Sequence, residues 1–142
     1  MASPLYGKQF IRFAETGHVG DGDSIPQFHV VKIDNSVLMD PPHIIVSDGG
    51  ESFGVLQQDV DAVDIDKATT AQRLGTVATS GLLLVAANGA SMPTQNANLE
   101  VDGNGMAVAV GAGAEVTIGG KNPIVRQAVT IGGEHYALVS FA

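Results

Sequence analysis

A chain of 142 residues, 44% hydrophobic and only 15% charged, is long enough to bury one core and too apolar to stay disordered. It has no cysteine, which excludes disulfides, thiolate catalysis and cysteine-ligated zinc and fits synthesis in a reducing cytosol. Its net charge is −8 and its seven basic residues are scattered, so no positive footprint for phosphates forms and a nucleic-acid partner is disfavoured.

The opening stretch MASPLYGKQFIRF lacks the continuous apolar run of a secretory leader. Residues 1–24 contain Gly7, Gly17, Gly20 and Gly22 and keep neither a helical nor a strand period. They also hold Tyr6, Phe10 and Phe13, three of only seven aromatic residues. The reading is an irregular N-terminal arm over residues 1–24, followed by a β-rich domain over 25–142. Aromatic side chains contribute much contact area per residue. Leu5, Tyr6, Phe10, Ile11 and Phe13 are therefore the candidate contact residues, toward a sister subunit or a larger surface. The alternative is an arm folded back on its own core.

Within GHVGDGDS, His18, Asp21 and Asp23, with His29 nearby, could ligate a divalent ion through imidazole and hard oxygens. The spacing matches no specific metal signature, and a glycine-rich surface loop is the commoner source of such a run. From Gln27 the pattern turns strand-like. FHVVKI is rich in β-formers, and HIIVSDGGESFGVL reads as strand, Asp-Gly-Gly turn, strand. DVDAVDID places Asp59 and Asp61 on one face, with Val60 and Ala62 on the other. A phase slip near Val63 suggests a bulge or break. Paired carboxylates can do acid–base work only in a pocket that separates their roles; a solvated acidic edge that blocks wrong sheet pairing is the simpler reading.

DKATTAQRL is the one helical candidate, about two turns long. LGTVATSGLLLVAA reads as a buried strand. Its apolar core LLLVAA is far short of the roughly 20 residues a membrane helix needs, so no membrane partner is expected. In LEVDGNGMAV, Asp102 and Asn104 fit the first two ligand places of a calcium loop, but Met106 stands at the third. The stretch suits a hairpin turn instead, because Asp and Asn tolerate left-handed backbone and the glycines relieve strain. VTIGGK and VTIGGE form a near-repeat, and each reads as a tight Gly-Gly hairpin turn. The last strand, HYALVSFA, alternates, with Tyr136, Leu138 and Ser140 on one side and Ala137, Val139 and Phe141 on the other.

No G-x-S-x-G, phosphate-binding loop or dinucleotide fingerprint occurs, and the four histidines share no local spacing. No catalytic residue and no cofactor is assigned. The expected fold is mainly β: one small sandwich or barrel-like domain, in which a β-tulip form is possible, with an extended N-terminal arm and at most one short helix.

FGVLQQD, then SGLLLVAANGASM, then NLEVDGNGMAV, taken in that order, resemble the capsid decoration (head cement) proteins of tailed bacteriophages over roughly residues 44–110. That resemblance implies a β-rich protein made in the host cytoplasm. It would bind the major capsid protein on the outer surface of an assembled virion, commonly as a homotrimer, without enzyme activity or cofactor. The longer arm and the VTIGGKNPIVRQAVTIGG region depart from the compact pattern. Two rival readings stand beside it: a tail-associated or carbohydrate-binding β module, and a metal-dependent hydrolase built on His18, Asp21 and Asp23.

Overall fold

The computed structural model describes residues 9–20, 23–60 and 73–142. Eleven strands account for its regular structure: β1 (Phe10–Val19), β2 (Val30–Ile33), β3 (His43–Val46), β4 (Gly50–Glu51), β5 (Gly54–Leu56), β6 (Leu74–Ala86), β7 (Glu100–Val101), β8 (Ala107–Val108), β9 (Ala114–Thr117), β10 (Ile124–Ile131) and β11 (Glu134–Phe141). Seven form one sheet in the order β1-β3-β2-β5-β6-β11-β10, and β1 also pairs with β6, which closes the first five into a ring. The remaining four form a small sheet, β4-β9-β7-β8. The fold is therefore mainly β and combines barrel-like closure with a sandwich-like pairing of sheets.

Two apolar cores explain why several strands read as unbroken apolar runs. Val19, Ile25, Val31, Ile44, Leu56, Val60 and Val77 fill the ring. Val30, Val55, Ala78 and Leu83 join Leu99, Val101, Ala107 and Val116 of the small sheet, together with Val125, Val139 and Phe141, in the second core. Successive residues of a strand point to opposite faces. Val30 and Val31 on β2, Val55 and Leu56 on β5, and Val77 and Ala78 on β6 thus serve one core each, and both faces of these strands are covered.

Strand β6 is the common wall. Along one side it pairs antiparallel with β1, from His18↔Leu74 to Phe10↔Leu82. Along the other it meets β5 at Ala78 and Val77, then β11 from Gly81 to Ala86. Gly81 makes this exchange possible. Its φ is +125°, and a Cβ there would overlap the Phe10 carbonyl oxygen.

The expected irregular arm differs from what forms. Phe10–Val19 is a ten-residue strand, interrupted by register shifts around Arg12 and Phe13. The Asp-Gly-Gly segment is not a hairpin turn either. β2 lies between β3 and β5, and the segment crosses to the small sheet, where Gly50–Glu51 pairs in parallel with β9. Both Gly-Gly turns do form: Gly119–Gly120 and Gly132–Gly133 all have positive φ, as a two-residue hairpin turn of the I′ kind requires. On β11, Ala137, Val139 and Phe141 are buried and Tyr136, Leu138 and Ser140 are half-buried, as the alternation predicts. No helix occurs among the described residues; residues 61–72, which hold most of DKATTAQRL and of the acidic run, lie outside them.

Candidate functional site

The most unusual surface is the outer half of β1. Its burial pattern is exposed at every position from Phe10 to Thr16. A strand of a packed sheet normally buries one face, and large apolar side chains are the ones it buries. Here Phe10 is 66% and Phe13 64% exposed, and Ile11 is exposed as well. Among the described residues this half pairs only with β6; contact with β3 begins at His18 and Val19. Among the described residues its second edge has no sheet partner, the arrangement that invites another chain.

Three of the five expected contact residues, Phe10, Ile11 and Phe13, thus stand together on one exposed strand. Leu5 and Tyr6 lie outside the described residues. Gln9 fixes the root of the strand: its Nε2 donates to Oε1 of Gln57 at 2.9 Å, and its Oε1 accepts from the Leu84 N–H at 2.9 Å. Past the other end, Arg73 is 1% exposed and donates to the carbonyls of Val19, Gly20 and Asp23.

A second exposed apolar group caps the loop between β2 and β3, where Leu38 is 95% exposed and Val37 and Met39 flank it. The loop is braced at its base. Oδ1 of Asp34 accepts from the Ser36 N–H at 3.0 Å and from the Ser36 hydroxyl at 2.6 Å, and these bonds hold the Asp34 carboxyl below its ordinary value. Between this loop and β1 lies a hollow of about 500 Å³ bounded by Glu15, Thr16, Ile33, Pro41, Pro42 and Phe53.

Of the residues singled out for metal chemistry, Asp23 turns its carboxylate toward Gly20, where the His43 ring also lies. His29 is directed away: its Nδ1 donates to the Asn104 carbonyl at 2.7 Å. His18 instead lies beside His43, which the sequence did not associate with it, at a ring-centroid separation of 6.4 Å. Asp21 is outside the described residues, and among those residues no group of three metal-binding side chains occurs. The VDGNG loop is a turn. Oδ1 of Asp102 accepts from the N–H groups of Asn104 and Met106 at 2.8 and 3.1 Å, and Gly105 O accepts from Val30 N–H at 2.9 Å, docking the turn on β2.

Two buried or braced acids that sequence reasoning missed also hold loops. Glu100, 6% exposed, accepts from the N–H groups of Gly111 and Gly113. Its signal was a lone acid between Leu99 and Val101. Glu51 accepts from Gly120, Gly119 and the Thr117 hydroxyl; the backbone bonds lower its pKa and fasten the Gly-Gly turn to β4. Both carboxylates have structural partners; Glu51 also lines a hollow of about 390 Å³ with Glu15, Phe53 and Thr79, and no histidine or lysine borders that hollow among the described residues. No protein-family model matches the chain, and comparison with curated proteins finds no similar sequence.

Proposed function

We propose that this chain is a non-enzymatic head decoration protein of a tailed bacteriophage. It binds the outer surface of the assembled capsid, as a trimer, and clamps neighbouring subunits of the major capsid protein. The observation that carries this reading is the outer half of β1, which bears exposed apolar side chains and, among the described residues, has one edge without a sheet partner. A clamp needs contact area and a rigid mount. The phenylalanines supply the area, and the β1–β6 ladder supplies the mount. Modest contacts become strong when one assembly engages several subunits at once. The acidic balance suits a surface turned away from packaged DNA.

A carbohydrate-binding reading has less support. The exposed rings of Phe10 and Phe13 carry no polar group to orient a sugar, the chain has no Trp, and the Tyr136 ring packs edge-on to Phe28 at 5.8 Å. The test is binding to expanded, decoration-free heads by a Phe10→Ser, Phe13→Ser double variant whose circular dichroism matches the parent. Loss of head binding is expected. Binding equal to that of the parent would overturn the reading.

A further inference from the structure

Across the molecule's long sheet, the strand opposite in order to β1 is β10, and its surroundings complement β1. Ile124 and Val125 are engaged by the 96–98 segment, but from Arg126 to Ile131 β10 pairs only with β11 among the described residues. Beside it lies a hollow of about 230 Å³ lined by Val129, Ile131 and Leu138, with Gln127 and Thr130 also in its wall and fully buried Leu84 behind it. One surface of this chain therefore carries exposed aromatic knobs, and another carries a recess next to a second open edge.

The charges give the pairing a direction. On β1, Arg12 precedes Glu15, and both are exposed. On the β10–β11 hairpin, exposed Arg126 stands at the start of the open stretch and exposed Glu134 just past its far end. Laid antiparallel, β1 brings Glu15 toward Arg126 and Arg12 toward Glu134. Laid parallel, it sets like charges together, which opposes association.

We propose that the outer half of β1 binds the β10–β11 hairpin of a second copy of this chain in antiparallel alignment, with Phe10 and Phe13 over the Val129–Ile131–Leu138 hollow and Glu15 facing Arg126. The contact is heterologous, knob to recess, and repetition closes a ring where the rotation between copies divides a full turn, as a trimer requires. It rests on the self-association part of the function proposed above and names the surfaces that would make it.

The test is sedimentation of the full chain, with single and paired charge reversals. The parent is expected to be oligomeric at micromolar concentration. Glu15→Arg and Arg126→Glu should each weaken association about tenfold or more, and the double variant should recover it. The chain has no cysteine, so Phe13→Cys and Ala128→Cys proteins, mixed, provide a second readout: a disulfide between copies that neither protein forms alone. A monomeric parent, single reversals without effect, or a double variant that fails to recover would overturn the inference. So would association that appears only after residues 1–8 are deleted, which would mean that the chain covers its own recess. Head binding by a strictly monomeric protein would sink this inference and leave the decoration reading standing. An intact oligomer with no affinity for heads would do the reverse.

Discussion

His18 and His43 are opposite residues in the parallel junction of β1 with β3, their ring centroids 6.4 Å apart, and the Nδ1 atom of each is buried without a hydrogen bond. His43 Nδ1 does lie 3.3 Å from Oδ2 of Asp34, close enough for an ion pair yet not aligned for a hydrogen bond. This junction consists of two residue pairs, the other being Val19↔Ile44, and it closes the five-strand ring. A buried polar atom without a partner opposes folding by roughly 1–3 kcal/mol. His18→Leu removes one such atom, so stability should stay level or rise by about 1 kcal/mol in urea unfolding. A loss above about 2 kcal/mol would mean that the imidazole has a use in the folded protein.

Gly81→Ala should be among the most damaging single substitutions. The residue combines a φ of +125° with close approach of the Phe10 carbonyl. Strain and overpacking together should reduce stability by at least about 2 kcal/mol. Hydrogen exchange should show the protection of residues 10–13 falling before that of β11. Uniform loss across the chain would contradict a local origin.

Arg73→Met keeps the side-chain length and removes the donors that reach Val19, Gly20 and Asp23. One buried and two part-buried carbonyls would lose a charged partner, and the expected destabilisation is about 2 kcal/mol. The end of β1 at Val19 should loosen with it. Thermal unfolding checks the first effect, and exchange at Val19 and Gly20 checks the second.

Acid should weaken the protein through carboxylates held below their ordinary values. Glu51 is lowered by the Gly120 and Gly119 N–H groups and the Thr117 hydroxyl, Asp34 by the Ser36 hydroxyl and N–H, and Asp48 by Lys32. A depressed carboxylate binds fewer protons folded than unfolded. Its stabilisation is therefore full above the ordinary value and is lost as pH falls through the folded one. For Glu51 the ordinary value is 4.5. The gap between the parent and Glu51→Gln should be constant from neutral pH to about 5 and should close on further acidification. A gap that persists at about pH 3 would show that the carboxylate charge is not its source.

Much of the β architecture was legible because it obeys simple periods. The Gly132–Gly133 turn and the Ala137–Val139–Phe141 face need only positive φ and alternation, and both are local properties. β1 escaped notice for a physical reason: with neither face covered, Phe10–Thr16 has no inside and outside to alternate between. The Asp-Gly-Gly segment misled because β2 separates the strands it seemed to join, a fact of long-range order. Phe10 and Phe13 drew notice by their aromatic content, and both are exposed. Arg73 and Glu100 drew none, since their partners are main-chain groups of distant loops that no side-chain pattern reveals.

The antiparallel ladder between β1 and β6 also determines how the molecule responds to load. Its hydrogen bonds lie perpendicular to the strands. A tug along the strand axis, delivered through Phe10 and Phe13, strains the whole row from Leu82 to Leu74 together and does not peel it one bond at a time. An anchor mounted in shear yields late and all at once, a mechanical habit suited to anything that must stay fastened while what it grips is under tension.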